Sequence, residues 1–172
     1  MSQCEFDITI DPITEEIQTD CFDFGNGSIM NRLRNAYYLE VMRLASVKSI
    51  KIQENTVVVY YIVLLTSMRS ADDSDGHEYA AIKLDTICID KSFQGKYIGT
   101  TVLQYIISTA KQFSDFAGCR FLILDALKEK YEWYVNNGFL IVDESTLTDS
   151  KPTVEMFIDF RSKDLYEEFC NP

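Results

Sequence analysis

Leu84-Asp85-Thr86-Ile87-Cys88-Ile89-Asp90-Lys91-Ser92-Phe93-Gln94-Gly95-Lys96-Tyr97-Ile98-Gly99-Thr100 is the stretch from which the rest of this 172-residue chain is read. Its first part completes a strand expected over Tyr79–Ile89. Asp90–Ile98 then connects to a helix expected from about Gly99 to Phe113. A strand that runs into a glycine-bearing turn and opens a helix leaves backbone N–H groups without intrahelical partners at the positive end of the helix dipole. Such a turn binds a pyrophosphate, because glycine lets a phosphate approach the backbone. Lys96 adds a direct charge. Taken alone, the same residues also describe an ordinary strand–helix connection. The Gly-Lys-Ser/Thr ending of a nucleoside-triphosphate loop is missing, which argues against triphosphate hydrolysis.

Upstream, Thr56–Thr66 is rich in β-branched residues and continuously apolar, the pattern of a central strand covered on both faces. A tight Glu54-Asn55 turn pairs it with Val47–Gln53. Met30, Leu33, Tyr37, Val41 and Leu44 recur at three- or four-residue steps and predict one amphipathic helix over Met30–Ala45. Cys4–Ile10 reads as a first strand stopped by Asp11-Pro12, and Asp20–Ser28 as a loop around Gly25-Asn26-Gly27. Downstream come a buried strand over Cys119–Leu124 and a helix over Leu127–Asn136 that stops at Asn137-Gly138. Strands over Phe139–Val142 and Val154–Phe160 follow, then a terminal helix over Lys163–Phe169. The order β-α-β-β-β-α-β-α-β-β with a final helix predicts an α/β fold of three layers around one mixed sheet. The hairpin makes part of that sheet antiparallel, and the crossover helix makes part of it parallel. The length favours a single domain over residues 1–172.

The formal net charge of −11 repels polyphosphate backbones at long range and argues against nucleic acid as a partner. No apolar run reaches membrane-spanning length, and no basic head with an apolar segment follows Met1. Five cysteines without paired spacing read as reduced thiols, so a cytoplasmic location is expected. With a single histidine and no Cys-x-x-Cys pair, no metal site is expected. Asp72-Asp73-Ser74-Asp75-Gly76 lacks the ligand ladder of a calcium loop and reads as a polar loop.

Phe93-Gln94-Gly95-Lys96-Tyr97-Ile98-Gly99-Thr100 resembles the Gln/Arg-x-x-Gly-x-Gly/Ala loop of the GNAT acetyltransferase superfamily, which wraps the pyrophosphate of coenzyme A. The resemblance implies a GNAT-like domain: a mixed, mostly antiparallel sheet with helices on both faces. It also implies acetyl-CoA as acyl donor and transfer of the acetyl group to a primary amine. The residues it assigns to the cofactor are Ile87, Cys88 and Ile89 on the strand that pairs with the pantetheine arm, and Gln94, Gly95, Lys96, Tyr97, Ile98, Gly99 and Thr100 on the loop. The thioester would lie where that strand splays from its neighbour beyond Thr86. Tyr97 stands where the family's middle glycine belongs. If that position requires positive φ, a non-glycine residue costs roughly 1–2 kcal/mol there.

Trp133-Tyr134-Val135-Asn136-Asn137-Gly138-Phe139 resembles the family's Phe-Tyr-x-x-x-Gly-Phe segment. By that resemblance Tyr134 is the catalytic acid that protonates the departing thiolate. The competing reading makes Tyr134 a helix residue packed beside Trp133 and Phe139. Asp85, Glu78 and Asp125 fall near the expected site, but none is singled out as the general base. His77 reads as solvated. Cys88 is weighed as a nucleophile and, with apolar neighbours, as a packing residue.

Phe22-Asp23-Phe24-Gly25-Asn26 before the first helix, with Phe24 in place of cysteine, resembles the Phe-Asp-Cys-Gly-Asn segment of toxin–antitoxin GNAT proteins. Leu124-Asp125-Ala126 resembles the end of their fifth strand. Those toxins acetylate aminoacyl-tRNA. Arg32, Arg34, Arg43, Lys48 and Lys51 gather around the first helix and the next strand, either as a patch for tRNA or as the solvated face of an amphipathic helix. The partners implied are acetyl-CoA and an amine, with no membrane. A homodimer and a tRNA acceptor stay open, as does a non-catalytic module that binds coenzyme A or a protein.

Overall fold

β-Branched runs form strands and amphipathic runs form helices, in the order β1 (Ile8–Pro12), α1 (Gly27–Arg34), α2 (Ala36–Val41), β2 (Ser46–Ile52), β3 (Thr56–Arg69), β4 (Glu78–Ile89), α3 (Ile98–Ala117), β5 (Phe121–Leu127), α4 (Tyr131–Val135), β6 (Leu140–Ile141) and β7 (Thr153–Asp159). The structure is a computed structural model that describes residues 8–15, 17, 22–25, 27–52, 56–70 and 76–161. The strands pair in the order β1-β2-β3-β4-β5-β7-β6. Of the registers described, β4 with β5 is parallel and the others are antiparallel, so the sheet is mixed and mostly antiparallel as expected. Among the described residues no helix is long and apolar enough to cross a membrane.

The chain groups into two compact units, Met1–Leu64 with Leu84–Val102 and Leu65–Lys83 with Leu103–Pro172; β3, β4 and α3 each run from one into the other. In the first, Val58, Val59, Tyr60, Tyr61 and Ile62 of β3 are all buried, which fits the continuous apolar run. Leu33, Ala36, Val47, Ile62 and Cys88 cluster with Phe22 and Tyr60, whose rings meet edge-on at 4.9 Å. Pro12 does not stop β1. It pairs with Lys48 at the end of a strand that begins the sheet order, where a missing backbone N–H is tolerated.

The single helix expected over Met30–Ala45 is two. At the junction Asn35 donates to the Arg32 carbonyl three residues back, a 3₁₀-type turn that breaks the α-helical ladder. The last turn is not helical, because Arg43 takes φ +57° and both Leu44 and Ala45 donate to the Leu39 carbonyl. Tyr38, Val41, Met42 and Leu44 are consequently exposed, whereas Leu33 and Ala36 are fully buried.

In the second unit β5 pairs with β7 along its whole length and with β4 through Ala81–Phe121, Ile82–Leu122 and Lys83–Ile123. Phe121 is buried between Tyr79 and Phe157, edge-on to both at 6.1 and 5.9 Å. The Arg120 guanidinium lies over the Tyr79 and Phe121 rings and pairs with Asp159 at 2.9 Å. Helix α3 runs four residues past the expected Phe113 and stops at Gly118, whose φ of +69° lets its N–H bond the Ser114 carbonyl. Strand β5 reaches Leu127, so α4 is shorter than the expected Leu127–Asn136. The terminal helix, the Glu54-Asn55 turn and the acidic Asp72–Asp75 run lie outside the described residues.

Candidate functional site

The strand–turn–helix segment belongs to the first unit. Along the end of β4, Leu84, Thr86 and Cys88 are buried while Asp85, Ile87 and Ile89 are half-buried. The parallel register with β5 ends at Lys83, before the Thr86 position at which divergence was expected. Cys88 is fully buried, and burial pushes its thiol up to about 12. A thiol in that state supplies no thiolate near neutral pH, so Cys88 is a packing residue. Past Ile89, the Asp90 N–H bonds the Val58 carbonyl of β3 at 3.0 Å.

A 3₁₀ turn over Lys91–Phe93 opens the loop, capped by the Asp90 carboxylate on the Ser92 N–H at 2.9 Å. The Gln94 side-chain amide donates back to the Ile89 carbonyl at 2.9 Å and folds the loop onto the strand. Gly95 and Tyr97 both take left-handed backbone, at φ +74° and +61°. The Tyr97 carbonyl accepts the Thr101 N–H and hydroxyl, at 3.1 and 3.2 Å, which places Tyr97 at the start of α3. Its ring is 83% exposed. The Lys96 ammonium lies 5.0 Å above the Phe93 ring. Left-handed residues in a turn at a helix N-terminus make the backbone concavities in which phosphates bind.

Tyr134 belongs to the second unit, in α4. Its ring meets Trp133 at 4.7 Å and Phe139 at 5.7 Å, both edge-on, so the packing of the competing reading is present. Its carbonyl accepts the Asn137 and Phe139 N–H groups at 3.0 and 3.1 Å around Gly138, whose φ is +93°. Asn137 joins this turn to α3 by accepting from Gln104 at 2.9 Å. The turn sequence Asn-Asn-Gly-Phe thus closes the end of α4 on the Tyr134 carbonyl and brings the Phe139 ring against the Tyr134 ring.

The three carboxylates weighed as bases each hold a partner. Asp85 accepts from Nε and one Nη of Arg32, each at 2.8 Å, and from the Thr86 hydroxyl at 2.9 Å. The Asp85 hydrogen bonds raise the pKa of Arg32. Asp125 pairs with Lys83 at 2.6 Å, and Glu78 with Ser67 at 3.0 Å and Arg69 at 3.5 Å. Cations of the first helix region are drawn into the same pattern. Besides Arg32, Lys51 pairs with Asp11 and Arg43 with Glu40, while Arg34 bonds Asn31. Among the described residues no three His, Cys, Asp or Glu side chains gather as metal ligands.

Sequence reasoning missed Asp90 and Lys91. Their signal was local: Asp-x-Ser directly after a strand is an Asx-turn pattern, and it marked where the loop is tied down.

No family model and no curated protein matches the chain. Solved structures do. A tyrosine-to-phenylalanine mutant of the AtaT toxin, bound to the C-terminus of the antitoxin AtaR and acetyl-CoA, superposes at TM-score 0.72 with 19% identity over 96% of this chain and 99% of that one. AtaT complexed with acetyl-methionyl-tRNAfMet gives 0.72 and 19% over 92% and 98%. A tyrosine-to-phenylalanine mutant of KacT gives 0.74 and 18% over 94% and 98%. At these identities the likeness is one of fold: the chain has the GNAT-type α/β fold of these toxins, as the loop motif implied.

Proposed function

We propose that the protein is an acetyl-CoA-dependent N-acetyltransferase that moves the acetyl group to a primary amine. The observation that carries the reading is the left-handed backbone at Gly95 and Tyr97, at the head of α3, in a chain that shares its fold nearly end to end with a toxin solved with acetyl-CoA. Backbone N–H groups of residues 94–100 would hold the pyrophosphate, with the Lys96 charge beside it. Ile87 and Ile89 would offer backbone groups to the linear arm, and Cys88 would pack beneath it. Attack by a neutral amine expels a thiolate, and the Tyr134 hydroxyl would supply its proton. Because Asp85, Asp125 and Glu78 are each engaged by a cation, proton removal from the amine is assigned to water rather than to any of them.

Within the amines, the AtaT complex favours the α-amino group of an aminoacyl-tRNA as acceptor. The net charge of −11 and the pairing of Arg32, Arg43 and Lys51 with acids weigh the other way. A thiol-release assay with acetyl-CoA, run against a panel of polyamines, lysine peptides and aminoacyl-tRNA, tests both levels. We expect release that requires one amine class, and a drop of about 10²-fold in turnover with Tyr134→Phe at unchanged acetyl-CoA affinity. Bound acetyl-CoA with no thiol released by any amine would make the protein a non-catalytic binding module.

A further inference from the structure

The segment Phe22-Asp23-Phe24-Gly25, which the acetyl-transfer reading leaves without a role, lies against the start of the candidate cofactor loop. Phe22 is buried, with its ring edge-on to Tyr60 of β3, so this end of the segment is anchored in the first unit's core. The next residue, Asp23, uses every polar group it has. Its N–H donates to the Asp90 carboxylate at 3.0 Å, and its carbonyl accepts the Lys91 N–H at 2.8 Å. One of its carboxylate oxygens accepts the Lys91 ammonium at 2.8 Å and the other the Gly25 N–H at 2.8 Å. The Asp90 carboxylate in turn bonds the Ser92 N–H at 2.9 Å and the Ser92 hydroxyl. Two Asx-type turns, 67 residues apart in sequence, are thereby bonded to each other by one backbone–backbone bond and one from a backbone N–H to a carboxylate. Gly25 completes the arrangement. It sits at φ +84°, and a Cβ there would meet the Lys91 Cε at 2.6 Å.

We propose that this segment is a brace for the cofactor loop, and that Asp23 and Asp90 are positioning residues for the phosphate end of acetyl-CoA. The proposal rests on the acetyl-CoA reading of residues 94–100. The physical reason is preorganisation. Loop N–H groups bind a phosphate well only if they are already held in place, and ordering them on binding would consume affinity. The Gln94 side chain fixes the loop to β4 from one side, and the brace fixes Lys91 and Ser92 from the other. An isolated exposed pair such as Lys91 with Asp23 contributes little to stability. The effect therefore belongs to the carboxylate-to-backbone bonds, from Asp23 to the Gly25 N–H and from Asp90 to the Asp23 and Ser92 N–H groups, which the two alanine substitutions remove.

The test is calorimetric titration of acetyl-CoA into the wild type, Asp90→Ala, Asp23→Ala and Asp143→Ala, with a thermal midpoint measured for each. Asp143 is the control: it caps Ser145 in the same way at 2.9 Å and belongs to the second unit. We expect Asp90→Ala and Asp23→Ala to weaken acetyl-CoA binding about tenfold, while Asp143→Ala binds as the wild type does despite a similar loss of midpoint. Asp90→Asn, which keeps an acceptor for Ser92, should recover part of the affinity. If Asp90→Ala does not fold, Asp23→Ala, which spares the Ser92 turn, decides. A wild type that binds beside an Asp23→Ala variant that binds equally well overturns the brace alone. A wild type that does not bind acetyl-CoA overturns the functional reading and the brace with it.

Discussion

At Tyr97 an L-residue with a large ring holds φ at +61°, a region that costs such a residue roughly 1–2 kcal/mol. The ring is 83% exposed, so packing among the described residues does little to offset that strain. Tyr97→Gly removes the clash but loosens the unfolded chain by about 0.5–1 kcal/mol. A net gain of about 0.5–1 kcal/mol is expected, a rise of roughly 1–4 °C in midpoint by calorimetry. A lower midpoint would show that the ring is held by contacts that outweigh the strain. Strain retained at one exposed residue of a loop points to use of that backbone shape rather than to stability. The requirement for left-handed backbone was legible in the sequence only through the loop motif, since a tyrosine by itself gives no sign of it. Tyr134 shows the converse. Its motif was legible, but its packing against Trp133 and Phe139 belongs equally to a structural side chain, and sequence spacing cannot separate the two.

Among the elements, strands were the more legible. The β-branched run of β3 and the alternation of β4 fell within a few residues of their observed ends, because burial on one or both faces writes directly into side-chain period. Helices were less so. Val41 and Leu44 continue the apolar period of the first helix, yet they are exposed, because backbone turns at Asn35 and Arg43 redirect the chain after the period has been set. Such turns depend on Arg32 and Leu39 carbonyls, which every residue has, and so leave no mark in composition. The link between Asp23 and Asp90 was hidden for a different reason: it joins two local turns across the sequence, and each turn alone is common. Its titration gives an element-scale prediction. The Lys91 and Gly25 hydrogen bonds hold Asp23 below its ordinary 3.8. Burial alone would raise Asp90, but bonds from Ser92 and the Asp23 N–H outweigh it and hold Asp90 below 3.8 as well. With both carboxyls more acidic in the folded chain, the unfolded chain binds more protons on acidification. Their stabilisation is therefore complete above about pH 4 and is lost as pH falls through the lower folded values. The midpoint difference between wild type and Asp90→Asn should shrink as pH drops from 5 toward about 2; a constant difference would show that the brace does not use the charged form.

For the whole molecule, the order of elements was recovered almost completely, with the first helix divided in two, and the fold matches that of AtaT and KacT along more than nine-tenths of the chain. Order was legible because hydrophobic period and glycine punctuation are local. What period could not show was the acceptor, which depends on charge placed on surfaces by the fold. Here the cations clustered in sequence around the first helix are largely answered by Asp85, Glu40 and Asp11, a pairing visible only once the chain is folded. Binding of acetyl-CoA by residues 94–100 is read by calorimetric titration of the folded wild type beside the Gly95→Ala, Gly99→Ala double variant. We expect one-to-one binding near the micromolar range, about −8 kcal/mol, that weakens at least about tenfold in the variant. A folded wild type that releases no heat and gains no thermal stability with acetyl-CoA, or a double variant that binds as tightly, would contradict it.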